Sequence, residues 1–336
     1  MKLIGTDKPI HDARGKAAGF VKYAADIMLP NMAYVVVVHS TIPHGYVRQI
    51  HAEKALALPG VFGVFHCFNT SERTYSHYRS NIAQELPDEE RAFNSYVRYV
   101  GDRVAAVAAS NQETAEKAAR LIEVEYEELP FTTGFDDTLA GQNCLPGESP
   151  IRDEFSFDVG TAPEEDGLIE VESFTEIPRL HHATMEPHVC VADYDPYQQQ
   201  LTVYSPNQTV HGIRIVLADF LEMPFHRVRV VKTTMGGSFG GKQEWFLEPT
   251  AALIAKALGR PVKLVYSRGE AMSCTVVRAA MRAVVHSKFK PDGTLVALDM
   301  DVLLDAGAYI GNSCDYIRTL SGKPFRCYRV PYFHYR

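Results

Sequence analysis

The sequence has no excess of basic residues and no block of lysine and arginine that could form a nucleic-acid surface. Lys and Arg number 34 against 41 Asp and Glu, a net charge of −7 over 336 residues. Domains that bind nucleic acid carry a clustered basic patch, so no nucleic-acid partner is expected. The longest apolar run, around residues 32–38, is far shorter than the roughly 20 residues that span a membrane. The N-terminus lacks the apolar core of a signal peptide, and we expect a cytoplasmic protein with no membrane segment.

The cysteines are widely spaced along the chain. None of the 6 belongs to a C-x-x-C pair, the spacing typical of zinc ribbons and of iron–sulfur ligands. The sequence therefore predicts no such site within this chain, and reduced thiols with structural roles. Cys190 lies within a strand pattern, so a buried thiol is favoured there over a nucleophile. The six are Cys67, Cys144, Cys190, Cys274, Cys314 and Cys327.

Composition and periodicity indicate an α+β protein of about two domains. With 46% apolar and 22% charged residues, the chain resembles ordinary globular proteins and can bury a sizeable core. Between about residues 131 and 157 the sequence turns to Gly, Pro, Asp and Thr with little periodicity, which is typical of a linker. We predict one domain over residues 1–130, a linker over 131–157 and a second domain over 158–336.

Strand and helix patterns follow one another along both parts. In the first part, Ser110 and Glu113 have the spacing of a capping box at a helix start. In the second part, a helix pattern begins at Ser205, another ends at Gly259, and a Pro-Asp-Gly turn at 291–293 joins two strands. Strands are predicted around 32–40, 61–68, 97–110, 121–128, 200–206, 227–235 and 261–267, with a further pair around 168–177 and 189–195, and helices around 52–60, 111–120 and 248–259.

The most distinctive stretch is MGGSFGGKQEW, residues 235–245, between a predicted strand and a predicted helix. Its glycine and lysine spacing fits most of a phosphate-binding loop, but Gln243 stands where that motif needs Ser or Thr for Mg²⁺, so an NTPase is disfavoured. No dinucleotide-binding glycine spacing fits these residues. A tight crossover explains one or two glycines better than four. We therefore favour a loop whose backbone amides approach a ligand closely.

At this point the chain resembles a known family over nearly its whole length. GGSFGGK at 236–242 is similar to the loop by which the xanthine dehydrogenase and aldehyde oxidase family of molybdenum hydroxylases holds its molybdopterin cofactor. The stretches at 19–51, 99–130, 181–195 and SPNQTV at 205–210 resemble the molybdenum-binding subunit of that family in the same order. The resemblance implies an α/β-hammerhead domain followed by the first part of a molybdopterin-binding domain.

The resemblance also implies a reaction and partners. The family hydroxylates a carbon atom with oxygen from water and passes two electrons through iron–sulfur clusters to flavin or another acceptor. We therefore expect molybdopterin on this chain, iron–sulfur clusters and FAD on partner chains, and a small-molecule substrate. Because the family's subunit continues well beyond this sequence, we also expect a carboxy-terminal molybdopterin-binding portion or subunit as a partner.

Site residues are expected where the sequence matches the family's motifs. Gln208 matches the glutamine that hydrogen-bonds an oxygen ligand of the metal, although its spacing from Ser205 also fits a helix-capping box. Phe239 and Gly240 match the part of the loop that presents a backbone amide beside the metal. The remaining predicted cofactor contacts are Gly236, Gly237, Gly241 and Lys242. For Lys242 an exposed charge after the loop is the alternative.

A group of histidines around one glutamate suggests a metal site, because imidazole and carboxylate groups are good metal ligands. His181, His182 and His188 surround Glu186. In the resembling family the segment 185–187 is scaffold near the active site, so we predict no direct protein ligand to a metal.

The sequence departs from the family at two points. Gln243 occupies a position where purine-oxidising relatives often have a glutamate; glutamine donates and accepts hydrogen bonds but carries no charge. It is a candidate substrate contact and favours an N-heteroaromatic substrate, such as a purine, over an aldehyde. The family's glutamate general base has no counterpart here, and such a base must lie within hydrogen-bond reach of its proton. We therefore expect an oxidoreductase only as part of a larger assembly; a truncated, non-catalytic hammerhead binding module is the alternative.

Overall fold

Three β-sheets organise the part of the chain described by the computed structural model, residues 4–78, 88–141, 143 and 149–336. The strands are β1 Ala33–His39, β2 Gly45–His51, β3 Val61–His66, β4 Tyr96–Val97, β5 Arg103–Ala109, β6 Glu123–Glu128, β7 Phe157–Val159, β8 Ile169–Ile177, β9 Val189–Asp195, β10 Gln200–Ser205, β11 Val228–Lys232, β12 Val262–Val265, β13 Met281–Phe289, β14 Leu295–Leu304 and β15 Tyr332–Tyr335. The helices are α1 Ala13–Ala17, α2 Glu53–Leu56, α3 Gln112–Ala119, α4 Phe135–Leu139, α5 Val210–Phe220, α6 Glu248–Leu258, α7 Arg268–Ser273, α8 Ser313–Ser321 and α9 Pro324–Cys327, with short 3₁₀ turns at Ala24–Asp26 and Phe225–Arg227.

The largest sheet joins strands from both sides of the predicted linker. Its order is β11-β10-β9-β12-β1-β5-β3. At its centre β1 pairs in parallel with β12, with Ala33 opposite Val262, and antiparallel with β5. All seven residues of β5 are buried, as expected for a strand that is covered on both faces. The residues predicted as two domains therefore share one hydrogen-bonded sheet, and the glycine loop follows its edge strand β11.

Two smaller sheets complete the fold. The five-stranded sheet has the order β7-β15-β14-β13-β8, and the three-stranded sheet has the order β4-β2-β6. The five-stranded sheet has its own core, which includes Phe333 and Tyr335. In the large sheet, helix α6 packs on β9 and β12, helix α3 packs on β1 and β5, and helix α5 packs on β11. Within the described residues, no helix is long and apolar enough to cross a membrane.

Several local predictions are confirmed. The strand β11 is followed by the glycine loop and then by α6, so the loop is a strand-to-helix crossover. Helix α6 ends at Gly259, which adopts φ 61° as a left-handed cap, a conformation that glycine tolerates best. Strands β13 and β14 pair along their length around the Pro-Asp-Gly turn, where Asp292 accepts a hydrogen bond from the Thr294 amide.

Other local predictions are wrong. Helix α3 is capped by Asn111, whose side chain accepts from the Thr114 amide, and not by Ser110. Helix α5 begins at Val210 rather than at Ser205. Strands β8 and β9 do not pair: β8 pairs with β13, and β9 pairs with β10 and β12. The linker over 131–157 stays a prediction; it contains the short helix α4, and its residues 142 and 144–148 lie outside the described part of the chain.

The described cysteines fit structural thiols. Cys67, Cys190, Cys274 and Cys314 are buried and free, and Cys327 is exposed. Burial raises the pKa of the Cys190 thiol well above its usual range, so this group stays protonated and unreactive at neutral pH. Cys144 lies outside the described residues.

Candidate functional site

The site is built around the glycine loop between β11 and α6. Backbone hydrogen bonds fold the loop on itself: the Gly241 amide donates to the Ser238 carbonyl at 2.8 Å, and the Gln243 amide donates to the Gly240 carbonyl at 3.2 Å. After the loop, the fully buried Trp245 donates from its indole nitrogen to the Ser76 carbonyl at 2.8 Å. The loop is thus anchored in the core at its exit.

Packing against the protein itself explains why residues 236 and 241 are glycines. A Cβ atom at position 236 would lie 2.6 Å from Cβ of Glu186, and one at position 241 would lie 2.7 Å from Nδ1 of His182. Both distances are shorter than real Cβ contacts. The other two, Gly237 and Gly240, have φ angles of 101° and 97°, which side chains strongly disfavour. The number of glycines alone is therefore not evidence of a ligand.

The tip of the loop has features that protein packing does not explain. Phe239 adopts φ 55° although it is not glycine, and its side chain is 73% exposed. A bulky residue in the left-handed region is strained, and an exposed aromatic side chain gains little from burial. Among the described residues, the backbone amides of Phe239 and Gly240 donate to no protein acceptor. This tip offers a strained, exposed surface with two backbone donors.

The structure brings Gln208 onto this loop. The hydroxyl of Ser238 donates to the side-chain oxygen Oε1 of Gln208 and accepts from the backbone amide of Lys242 at 3.1 Å. The backbone amide of Gln208 donates to the Lys242 carbonyl at 2.8 Å. Helix α5 has no side-chain cap, so the capping alternative for Gln208 is wrong. With Oε1 engaged by Ser238, the side-chain amide of Gln208 keeps its two N–H donors. Ser238 was not singled out by the sequence, because its side-chain partner Gln208 lies 30 residues away.

The residues that flank Gln208 also hold the loop exit. The side chain of Asn207 donates to the Glu244 carbonyl at 2.9 Å, and the hydroxyl of Thr209 donates to the Gln243 carbonyl at 2.6 Å. The SPNQT segment therefore runs alongside the loop exit and fixes the backbone of Gln243. Gln243 itself is partly buried directly after the loop.

Lys242 is not an exposed charge. Its side chain is 2% exposed, and Nζ donates to Oε2 of Glu186 at 2.6 Å. Burial lowers the pKa of Lys242, and the neighbouring Glu186 carboxylate opposes that effect. In a phosphate-binding loop the lysine contacts the phosphates, whereas Lys242 is buried against Glu186. The position of this lysine therefore argues against an NTPase.

Two of the three histidines contact the loop, and the three do not form a metal site. His181 Nε2 lies 2.8 Å from the Ala271 carbonyl, and His182 packs under Gly241. His188 Nε2 lies 2.8 Å from the Gly241 carbonyl, and burial lowers the pKa of His188 to about 4, so its ring is neutral at pH 7. Among the described residues, no group of three or more His, Cys, Asp or Glu side chains is arranged to hold a metal ion.

A chain of buried charges leads away from the loop exit. Arg103 Nη2 lies 2.7 Å from Glu90, the other oxygen of Glu90 lies 3.1 Å from His77, and His77 Nε2 lies 2.7 Å from Glu244. Burial alone would lower the pKa of His77, but the two carboxylates raise it to about 10. Burial alone would raise the pKa of Glu90, but Arg103 and His77 lower it to about 2. The four groups therefore carry alternating charges.

Two family models match this chain, and together they cover most of it. Residues 18–130 match the a/b hammerhead domain of aldehyde oxidase and xanthine dehydrogenase, and residues 152–336 match the molybdopterin cofactor-binding domain. The described loop, Gln208 and Glu186 all fall within the second match.

Molybdenum and molybdopterin subunits and a solved oxidoreductase structure are among the similar proteins. The chain is 33% identical over 314 residues to the xanthine dehydrogenase molybdenum-binding subunit of Escherichia coli O157:H7, covering 90% of this chain and 41% of that subunit. It is 30% identical over 315 residues to the nicotinate dehydrogenase large molybdopterin subunit of Eubacterium barkeri, covering 92% of this chain and 72% of that subunit. Quinoline 2-oxidoreductase from Pseudomonas putida 86 superposes with a TM-score of 0.83 at 27% identity, over 99% of this chain and 44% of that chain.

Proposed function

The chain belongs to the aldehyde oxidase and xanthine dehydrogenase family, with a hammerhead domain and a molybdopterin cofactor-binding domain, and from this premise we propose that it forms part of the active site of a molybdenum hydroxylase. The observation that carries the proposal is the bond between Ser238 and Gln208. It joins two segments that are far apart in the sequence, each of which matches a family site motif. The chain spans 41% of the length of the Escherichia coli relative, and the proposal places it within a larger assembly.

The residues at the loop tip fit a cofactor. The backbone amides of Phe239 and Gly240 donate to no protein acceptor within the described chain. Phe239 also adopts a strained, left-handed backbone conformation that packing within the protein does not require. We assign cofactor contacts to the loop residues Gly236, Gly237, Phe239, Gly240 and Gly241, with the free amides of Phe239 and Gly240 at the tip as the backbone donors. Bound molybdopterin would supply molybdenum, which accepts two electrons from the substrate.

The chain's own residues then act by positioning. Gln208, held by Ser238, would donate from its side-chain N–H groups to an oxygen ligand of the bound cofactor. The loop amides, fixed by internal hydrogen bonds, act as preorganised dipoles, which stabilise developing negative charge without reorganisation. Gln243, fixed through its carbonyl by Thr209, is proposed as a substrate contact. The general base comes from the partner portion of the assembly.

We propose an N-heteroaromatic substrate, such as a purine. The names of similar proteins support this class, since they include xanthine dehydrogenase and nicotinate dehydrogenase subunits and a quinoline oxidoreductase. Gln243 supports it as well, because an amide can both donate to and accept from ring nitrogens and carbonyls. An aldehyde is the alternative substrate. The proposed partners are a carboxy-terminal molybdopterin-binding portion, an iron–sulfur subunit and an FAD subunit, in a cytoplasmic complex.

The experiment is a tagged purification from the native host. Molybdenum content, pterin fluorescence and the identity of co-purifying chains are measured on one preparation. Dye reduction is then assayed with xanthine, hypoxanthine, nicotinate, quinoline and benzaldehyde. The proposal predicts molybdenum and pterin in the complex and turnover with at least one ring substrate. Absence of both molybdenum and pterin from the complex would refute it and would favour a non-catalytic hammerhead module.

A further inference from the structure

Glu186 lies outside the glycine loop but binds both of its ends. Its Oε2 atom accepts from the Gly236 amide at 2.8 Å and from Lys242 Nζ at 2.6 Å. Its own amide donates to the Gly236 carbonyl at 3.1 Å. One carboxylate oxygen therefore joins the first and the last residue of GGSFGGK, which are separated by five other residues.

The surroundings of Glu186 favour strong and specific bonds. Its side chain is 10% exposed and that of Lys242 is 2% exposed, so water screens the pair little. Hydrogen bonds between ionised partners are shorter and stronger than neutral ones. The other oxygen, Oε1, is buried and has no hydrogen-bond partner among the described residues, so the contacts with the loop are the ones that hold this carboxylate.

The segment that carries Glu186 is itself rigidly held. Arg268 donates to the carbonyls of Thr184 and Met185 at 2.7 Å each, and the Thr184 hydroxyl donates to the Glu186 carbonyl at 2.8 Å. The absence of a side chain at Gly236 allows the two backbones to meet, since a Cβ there would collide with Glu186. The segment 184–186 is thus a fixed base on which the loop rests.

We propose that Glu186 is the positioning residue of the glycine loop. It holds the two ends of the loop at the separation that gives the backbone of residues 237–240 its cofactor-binding shape, and Lys242 acts beneath the loop as its counter-ion. This inference rests on the proposed function, because it takes molybdopterin to be the ligand of the loop. It assigns Lys242 to the support of the loop rather than to direct contact with the cofactor.

The test uses three variants and one control in the tagged complex from the native host. Glu186→Gln keeps the size of the side chain and removes its charge. Lys242→Met removes the ammonium group, and the double variant Glu186→Gln/Lys242→Met leaves no unpaired buried charge. The control, Glu248→Gln, neutralises a buried carboxylate that accepts from Ser205 at 2.5 Å and makes no hydrogen bond with the loop among the described residues.

Two measurements are made on each protein. Amide hydrogen exchange of peptides covering residues 235–243 is followed in protein from cells that cannot synthesise molybdopterin, so the readout does not depend on the cofactor. Molybdenum and pterin content are measured in protein from ordinary cells. Thermal unfolding reports stability separately.

Glu186→Gln is expected to speed exchange in the loop at least about tenfold, the size that follows from losing hydrogen bonds to a charged group, and to lose most of its molybdopterin. The double variant should regain thermal stability, because replacing a buried ion pair by neutral groups is often neutral, yet it should still exchange fast and lack cofactor. Glu248→Gln should match the parent in both loop exchange and cofactor content.

Three results would overturn the inference. One is unchanged loop exchange in Glu186→Gln, and the second is full cofactor retention by the double variant, which would make the pair structural only. The third is full retention by Glu186→Gln with loss in Lys242→Met, which would make Lys242 the direct contact. If the parent complex contains no molybdopterin, the proposed function fails, and the cofactor-binding part of this inference fails with it. Loop exchange then still decides whether Glu186 holds the loop.

Discussion

His77 Nε2 lies 2.7 Å from Glu244 Oε2 in the protein interior, with side chains 7% and 4% exposed. Glu244 is the second residue after Lys242, and His77 links Glu244 to Glu90 in the buried charge chain. A backbone hydrogen bond joins the same two segments, since the Trp245 amide donates to the His77 carbonyl at 3.1 Å. The segment around residue 77 and the loop exit are therefore held together by an ion pair and by backbone bonds.

Replacing His77 by leucine should strongly destabilise the protein. The substitution leaves the carboxylates of Glu90 and Glu244 buried without their shared cation, and removing one partner of a buried ion pair costs about 3–5 kcal/mol. Urea unfolding of parent and variant measures the difference.

The matched control for this experiment is His286→Leu. His286 pairs with Glu172 at 3.4 Å on the surface, with side chains 52% and 68% exposed, and exposed pairs contribute about 0–1 kcal/mol. Equal losses in the two variants would contradict the role assigned to His77. Because the folded pKa of His77 is raised to about 10, its contribution should be complete below pH ~6.5 and should disappear as pH rises toward 10.

Acid should destabilise the protein through His188. Burial lowers the pKa of His188 to about 4, whereas an unfolded histidine titrates near 6.5. Between these values the unfolded chain binds more protons than the native chain, so the free energy of unfolding falls as pH decreases from about 6.5 to 4. His188→Gln, which retains a donor for the Gly241 carbonyl, should flatten this part of the profile. Identical slopes for parent and variant between pH 4 and 6.5 would rule out this assignment.

Gly240→Val should abolish cofactor retention. Position 240 has φ 97°, which a β-branched side chain cannot adopt without strain, so the loop tip must change shape. Molybdenum and pterin content are measured in the tagged complex. The control is Gly293→Val, at φ 85° in the turn after β13, where similar strain should reduce stability but leave the cofactor bound. A Gly240→Val complex with parental molybdenum content would refute the prediction.

Gln208→Ala should lower turnover far more than stability. Since Gln208 caps no helix, the loss of its bond with Ser238 should cost about 1 kcal/mol or less. As a donor to an oxygen at the metal, its loss should reduce turnover per molybdenum on the order of 10²-fold, as for a lost oxyanion donor. The control is Gln112→Ala, which removes a surface contact with Glu116. Unchanged turnover per molybdenum in Gln208→Ala would leave only a structural role.

The chain purified without partners should self-associate through β8. This strand ends its sheet, and Ile169, Val171 and Phe174 are 51%, 49% and 62% exposed. A long edge strand with exposed apolar residues is a site of association. Val171→Lys/Phe174→Lys should shift the chain toward monomer in sedimentation velocity, whereas Phe131→Lys, at another exposed aromatic residue, should not. A sharply monomeric parent chain would contradict the prediction.

Much of the local structure follows from the sequence. Three features depend only on residues close in sequence, so a short stretch of sequence is enough to predict them: the run of valines in β1, the Pro-Asp-Gly turn and the glycine cap of α6. The family and the class of cofactor also follow from the sequence, because several motifs occur together in order.

The tertiary structure decided which side chains meet. Asn111 rather than Ser110 caps α3, because either of two neighbouring polar residues satisfies the local capping pattern. Strands β8 and β9 belong to different sheets, because similar strand patterns do not specify which strands pair. The sequence around Lys242 fits an exposed lysine as well as a buried one. The buried ion pair forms only because the fold places Glu186, which is 56 residues away, beside it. Four glycines indicated close approach, but the sequence could not say that two of them make room for Glu186 and His182. Local propensity acts within a few residues, whereas burial and ion pairing depend on where the rest of the chain lies.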